Sequence, residues 1–346
     1  MGMLTAIPVE DIRRRGSIRD SDVAALRAAY ARLDEVSADE AAALFALHAA
    51  TPIQDPSWAE LFIDIISEYI VEQAEPSGYL VAENSRWLIE QTSTFGRIET
   101  STELALLLRV LERARWSPPT LAAFALEQIR HAIETSSGPL RAGRAVPVGT
   151  IAASEVALVG RILCTFGSDT TVTITRAEAD ALLAINRAIA PDGASPAWSE
   201  MLVRTIGSGV LASLGHAVAP RREIIDTLGT ADVAGDLFAL LAGGLSEQPS
   251  RSRRIEPSHG GACQVWRSAR LLTPEERALA RLERQRLEIV TNEVIEETTD
   301  RWLVDALAFS RPGDTVEAAL LNFIVREAST LSPLLEEYVQ QRAIAA

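Results

Sequence analysis

A short motif near residue 86 recurs far along the chain, and a second motif keeps the same spacing. Residues 86–89 read Arg-Trp-Leu-Ile and residues 301–304 read Arg-Trp-Leu-Val, a displacement of 215 residues. A Ser-Pro pair at residues 117–118 recurs at residues 332–333 with the same displacement. A spacing held across a helix pair indicates a duplicated supersecondary unit. The sequence therefore predicts a fold built from repeated units.

Three further pairs of segments link the beginning of the chain to its middle. Each pair combines a turn or helix cap with the start of an apolar helix, and the displacement grows from 133 to 138 to 140 residues. Such growth is expected when helices are kept and connections lengthen. The matching pairs are residues 16–24 with 149–157, residues 37–41 with 175–179, and residues 56–63 with 196–203.

Nearly every periodic stretch of the chain has helical spacing, and a β-prone run occurs only at residues 170–174. Several helix starts are marked by capping boxes or N-terminal prolines, and Asp314 follows a Pro-Gly turn where it can cap a helix. We therefore predict an all-α fold of two to three degenerate multi-helix repeat units. The expected division is unit 1 at 1–140, unit 2 at 141–245, a polar linker or long loop at 246–270, and a truncated unit 3 at 271–346.

The composition excludes several function classes. All 33 basic residues are arginine, so a phosphate-binding Walker A loop and a Schiff-base or pyridoxal enzyme, which need lysine, are excluded. The net charge of −14 argues against a general nucleic-acid-binding protein.

The cysteine content and the apolar segments of the sequence indicate where the protein resides. Only two cysteines occur, which is typical of a reducing compartment rather than a disulfide framework. We find no apolar secretory segment and no uncharged apolar run long enough to span a membrane. These observations predict a cytoplasmic protein without a membrane span.

Residue types that carry chemistry are present, but their patterns do not form a known site. His259 and Cys263 share a Gly-rich loop, two ligands short of the four that a zinc site normally uses. His48, His131 and His216 have no acidic or histidine partner close in sequence. We therefore predict no catalytic, cofactor-binding or metal-binding residue.

Two groups of residues are candidates for structural or binding roles. Tryptophans at repeat-related positions are interpreted as packing anchors, with an aromatic interface patch as the alternative; they are Trp58, Trp87, Trp198 and Trp302. A basic cluster in the linker is a candidate site for docking an acidic partner or a phosphate, with a solvated linker as the alternative; it comprises Arg251, Arg253 and Arg254.

Three glycine turns resemble those of TerB-like domains, a family of all-helical bundles. The family's turn has the form Asp-Gly-x-Ile-x-x-x-Glu and leads into an apolar helix. The corresponding turns here are Gly16-Ser-Ile18 with Asp22, Gly149-Thr-Ile151 with Glu155, and, with one extra residue, Gly96-Arg-Ile98 with Glu103. Arg15, Val148 and Phe95 stand where the family has its aspartate, so the implied metal-binding acid is missing. The resemblance implies an all-α bundle and a link with envelope-stress or metal-ion responses.

The function expected from these patterns is that of a non-enzymatic cytoplasmic helical-repeat protein, because repeat arrays present extended surfaces more than catalytic pockets. Its partner would be another protein or a second copy of the chain. The alternative is a metal- or small-ligand-binding stress-response protein of the TerB-like kind.

Overall fold

A computed structural model describes residues 9–33, 35–165, 174–219, 223–225, 299–311, 313–328 and 330–345. These residues are helical almost throughout, and the only strands among them are two residues long. The predicted all-α fold is thereby confirmed. The described chain forms two compact units, one ending at Ser77 and one beginning at Gly78.

The first compact unit contains four α-helices and one pair of short strands. The helices are α1 (Val9–Arg15), α2 (Asp20–Tyr30), α3 (Ala38–Ala50) and α4 (Pro56–Glu68), and α4 continues into a π-helical turn at Tyr69–Gln73. Strand β1 (Ser17–Ile18) pairs in parallel with β2 (Ile53–Gln54). Helix α1 packs on α3 and helix α2 on α4.

The second compact unit contains nine described helices. They are α5 (Ala82–Thr92), α6 (Ser101–Arg113), α7 (Pro119–Thr135), α8 (Ala153–Thr165), α9 (Arg176–Ala188), α10 (Pro196–Ser213), α11 (Thr299–Leu307), α12 (Thr315–Glu327) and α13 (Pro333–Ala345). The most extensive packing is between α7 and α9, followed by that between α10 and α12. No described helix combines the length and the apolar character needed to cross a membrane.

The helix starts follow from local sequence. Ser37 and Glu40 form a capping box at α3, and Thr175 and Glu178 form the corresponding box at α9. The Asp314 side chain accepts hydrogen bonds from two backbone N–H groups in the first turn of α12. Each cap satisfies amide groups that have no partner inside the helix, so these predicted helix starts are confirmed.

Each compact unit contains a backbone hydrogen bond between a glycine turn and a later loop. In the first unit, β1 pairs with β2 and the carbonyl of Ile18 accepts from the N–H of Asp55. In the second unit, the N–H of Ile151 donates to the carbonyl of Gly193. These positions correspond under the displacements read from the sequence, which favours the predicted duplication. The division into repeat units stays a prediction.

The C-terminal helices pack against the middle of the chain. Phe323 of α12 lies so close to Gly207 of α10 that a Cβ atom there would collide with its ring. Trp302 donates from Nε1 to Oδ1 of Asp180 at 2.7 Å. Residues 299–345 therefore belong to the second compact unit. Along the chain, the second compact unit begins at residue 78. The boundaries predicted at 140 and 271 concern sequence repeats and stay predictions.

Candidate interaction surface

The four tryptophans selected from the sequence differ in burial. Trp58 and Trp198 are fully buried, whereas Trp87 and Trp302 are half-buried. The indole of Trp58 donates to Nδ1 of His48 at 3.1 Å, and the indole of Trp198 donates to Oδ1 of Asn186 at 3.1 Å. Two of the four are thus enclosed and hydrogen-bonded to the preceding helix. The role of all four as packing anchors stays a prediction.

Arg251, Arg253 and Arg254 lie outside the described residues, as do His259 and Cys263. A docking role for the arginines therefore stays a prediction.

The acids of the three glycine turns serve helix starts. Asp22 accepts from the backbone N–H of Arg19 at 2.9 Å and forms an ion pair with Arg15. Glu103 accepts from the backbone N–H of Thr100 at 3.1 Å, and the Thr100 hydroxyl accepts in return from the Glu103 N–H. Such contacts stabilise the first turn of a helix, and they occupy oxygens that a metal ion would otherwise use.

The third turn acid, Glu155, belongs to a buried ion pair. Arg141 binds both of its carboxylate oxygens, from Nε at 2.7 Å and from Nη2 at 3.0 Å. The remaining N–H groups of Arg141 donate to the carbonyl oxygens of Val146, Pro147 and Thr150. All five donors of the guanidinium are therefore used. The pair fixes the loop between α7 and α8 and leaves no group open to a substrate.

His48 is a buried neutral imidazole. Its Nδ1 accepts from both Trp58 and the side-chain amide of Gln54, so the proton resides on Nε2. The ring stacks on Phe62 with centroids 4.8 Å apart. Burial lowers the pKa of His48 from 6.5 to about 4. With no titratable partner in these contacts, His48 is placed to organise the core.

A second buried acid, Glu317, joins two of the C-terminal helices. The Tyr338 hydroxyl donates to its Oε1 at 2.9 Å, and Nε of Arg342 lies 3.1 Å from the same oxygen. Burial raises the pKa of Glu317, and these two contacts oppose that rise. Arg342 also donates to the carbonyl of Leu307 at 3.1 Å, so the cluster ties α12 and α13 to the end of α11.

The most unusual surface feature of the described chain is a two-residue turn at Phe95 and Gly96. Both residues have positive φ, 52° and 77°, and Thr94 and Arg97 exchange backbone hydrogen bonds of 2.9 and 3.1 Å across the turn. This is the pattern of a type I′ turn, which favours Asn, Asp or Gly at its first central position. Phenylalanine is unfavourable there. Its side chain is nevertheless fully exposed.

A buried glutamine of α7 holds this turn in place by hydrogen bonds. Gln128 of α7 donates from Nε2 to the carbonyl of Gly96 at 3.2 Å, and its Oε1 accepts from the N–H of Ile98 at 3.0 Å. The Gln128 side chain is buried and Ile98 belongs to the core. Phe95 therefore lies on a turn whose backbone is held by these two hydrogen bonds.

An open depression lies beside this turn. Its cavity volume is about 50 Å³. Its floor includes the apolar residues Ile98, Ala132 and Leu140, and its polar lining includes Arg97, His131 and Thr135. We call Phe95 together with this depression the Phe95 surface.

His131 contributes a ring nitrogen without a hydrogen-bond partner. Its Nδ1 is shielded from solvent and lies 4.0 Å from Oε2 of Glu134, too far for a hydrogen bond. Burial lowers the pKa of His131, and the charges of Arg130 and Arg97 lower it further. These effects favour the neutral form of the ring, and this nitrogen is closed to solvent.

Comparisons with known proteins give no match: no family model, no curated protein and no solved structure resembles the chain. The TerB-like resemblance stays a prediction. Among the described residues, no group of three His, Cys, Asp or Glu side chains is arranged to hold a metal ion.

Sequence reasoning missed the Phe95 surface. It considered Phe95 only as the residue that replaces the aspartate of the TerB-like turn. A sequence signal did exist, because Phe95 precedes a glycine within an otherwise polar segment, Gln91-Thr-Ser-Thr-Phe-Gly-Arg. The support from Gln128 is 30 residues away and could not be read from the turn itself.

Proposed function

We propose that this chain is a non-enzymatic, cytoplasmic helical-repeat protein that acts as an interaction or scaffold protein. The observation that carries the proposal is the fully exposed Phe95, held by Gln128 on a turn that phenylalanine disfavours. The binding partner is another protein, and a second copy of the chain is an additional candidate.

The energetics of the turn support an interaction role. A bulky side chain in the left-handed region costs of the order of 1 kcal/mol, and unfavourable backbone conformations of this kind cluster at functional sites. Aromatic residues are enriched among the side chains that dominate protein–protein binding. A fixed backbone reduces the entropy lost when a partner binds. Phe95 combines the three properties.

The non-enzymatic part of the proposal is supported by the roles of the ionisable side chains. Asp22 and Glu103 cap helices, Glu155 is enclosed by Arg141, and Glu317 is enclosed by Tyr338 and Arg342. A catalytic acid or base needs access to a reacting proton. These four carboxylates are already engaged in holding the fold.

Co-isolation tests the proposed function. The full chain and its Phe95→Asn variant are used as baits in parallel, and each recovered protein is purified and mixed again with the bait. We expect the parent chain to retain a defined partner and to re-form the complex from purified components. Recovery of the chain alone under gentle conditions contradicts the proposal. Phe309→Asn is the matched control, because Phe309 is also exposed in the second compact unit.

The second candidate function, a metal- or small-ligand-binding stress-response protein, rests on the three TerB-like turns. It is less well supported because the acids of these turns are engaged in helix caps and ion pairs. Thermal melts with and without Ca²⁺, Mg²⁺ or Zn²⁺ separate the two candidates. A stabilisation that grows with ion concentration favours this second function. An unchanged melting temperature excludes it for these ions.

A further inference from the structure

Two arginines near the Phe95 surface differ in whether an acidic side chain is paired with them. Arg130 is paired with Glu127 at 2.6 Å and with Glu134 at 2.5 Å. Arg97 is exposed, lines the depression, and makes no ion pair within the described part of the chain. It is therefore an available cation on a protein whose net charge is −14.

Two arginines and two glutamates act on the charge state of His131. Arg130 and Arg97 lower its pKa, and each arginine has a larger effect than either Glu127 or Glu134, which raise it. Because Glu127 and Glu134 are both paired with Arg130, Arg97 is the one of these two arginines that has no ion-pair partner within the described part of the chain.

We propose that the Phe95 surface binds an acidic, apolar peptide segment of a protein partner, with an apolar side chain against Phe95 and a carboxylate against Arg97. This inference rests on the proposed interaction function and names the binding surface and the chemistry of the partner. The exposed guanidinium of Arg97 supplies donors for the carboxylate.

The composition of the surface selects this occupant over others. Nucleic acid needs an extended basic surface, which a chain with a net charge of −14 and a single available arginine at this site does not offer. A small organic ligand is normally enclosed on most sides, whereas this depression is open and lies beside a protruding ring. The exposed ring of Phe95 beside the guanidinium of Arg97 suits a peptide that alternates apolar and acidic side chains.

A panel of synthetic peptides tests the proposal directly. Four fluorescein-labelled peptides of equal length carry alternating Leu/Glu, Leu/Gln, Leu/Arg or Gly/Glu, and fluorescence anisotropy measures their binding to the full chain. We expect the Leu/Glu peptide to bind saturably, and the other three to bind at least about tenfold more weakly. Binding of the Leu/Glu peptide should weaken as salt is raised. Preferential binding of the Leu/Arg peptide, or no binding by any peptide, overturns the proposal.

Point variants then locate the site. We expect Phe95→Asn and Arg97→Gln each to weaken Leu/Glu binding about tenfold, whereas Phe309→Asn leaves it unchanged. Phe95→Asn suits the turn conformation, so its fold is retained, and circular dichroism verifies this. Equal binding to the parent and to Phe95→Asn overturns the proposal.

Light scattering tests whether the surface binds a second copy of the chain. Co-isolation distinguishes a failure of the peptide proposal from a failure of the proposed interaction function. If Phe95→Asn changes the protein from dimer to monomer, the surface binds a second copy and the peptide proposal is overturned. A partner that still co-isolates with Phe95→Asn leaves the interaction function standing while it removes this surface. Recovery of the parent chain without any partner contradicts the interaction function itself.

Discussion

The indole Nε1 of Trp58 donates a hydrogen bond of 3.1 Å to Nδ1 of His48 inside the first compact unit. The Gln54 amide donates to the same nitrogen at 3.1 Å, so Nδ1 carries no proton in the folded protein. Protonation of this nitrogen requires the loss of both donors. Burial lowers the pKa of His48 from 6.5 to about 4, which makes the first unit sensitive to acid.

The first prediction concerns the stability of this unit against pH. His48 binds a proton more readily in the unfolded chain, near pH 6.5, than in the folded one, near pH 4. The stabilisation is therefore fully present above pH 6.5 and is lost as the pH falls toward 4, by roughly 3 kcal/mol in total. Because the chain has six tryptophans, urea unfolding at each pH is best followed through the indole N–H resonance of Trp58.

His48→Asn provides the matched control for this prediction. Asparagine stands at the corresponding position 186 of the second unit, where its Oδ1 accepts from the indole of Trp198 at 3.1 Å. The variant has no titrating group at this site, so we expect a smaller loss of stability between pH 6.5 and 4.5. Equal pH dependence in the parent and the variant contradicts the assignment to His48.

The second prediction concerns the buried ion pair of Arg141 and Glu155. Removal of one partner leaves the other charge buried without compensation, so Arg141→Ala should lower the free energy of unfolding by about 3–5 kcal/mol. Arg204→Ala is the control, since Arg204 and Glu200 form an exposed pair at 2.9 Å and should change stability by less than about 1 kcal/mol. Urea unfolding measured by circular dichroism compares the two. Similar effects in both variants contradict the prediction.

The features of the fold and of the candidate site differ in how far they could be predicted from sequence. The capping boxes at Ser37 and Thr175 are local patterns of four residues, so sequence predicts them well. The Trp58 position was recognised from the repeat, but its hydrogen bond to His48 depends on how α3 and α4 pack. The pairing of Arg141 depends on the path of an irregular loop. The exposure of Phe95 depends on Gln128, which is distant in sequence.

The third prediction concerns the close approach of two loops at Gly193. A Cβ atom at this position would collide with the carbonyl oxygen of Gly149, which accepts from the N–H of Ala190 at 2.7 Å. Because the obstacle is backbone, Gly193→Ala should destabilise the second unit by about 1–3 kcal/mol. Hydrogen exchange at the amide of Ile151, which bonds to Gly193, should accelerate accordingly.

The first unit supplies the control for this loop contact. Ile53 stands at the position that corresponds to Gly193, and its side chain is 70% exposed, so that site has room for a side chain. Ile53→Ala should change the stability by less than about 0.5 kcal/mol. Normal hydrogen exchange at Ile151 in Gly193→Ala contradicts the predicted collision.

The fourth prediction is that Phe95→Asn stabilises the fold even though it removes a large apolar side chain. The Phe95 side chain is fully exposed, so its removal exposes no core, and asparagine adopts the left-handed conformation more readily than phenylalanine. We expect the free energy of unfolding to rise by about 0.5–1 kcal/mol, measured by urea unfolding. Phe95→Ala, which keeps the unfavourable conformation, should give no such gain. Destabilisation by Phe95→Asn means that the ring supports the fold. A gain in stability means that the sequence keeps phenylalanine there at the expense of stability, which is the pattern expected of a residue retained for binding.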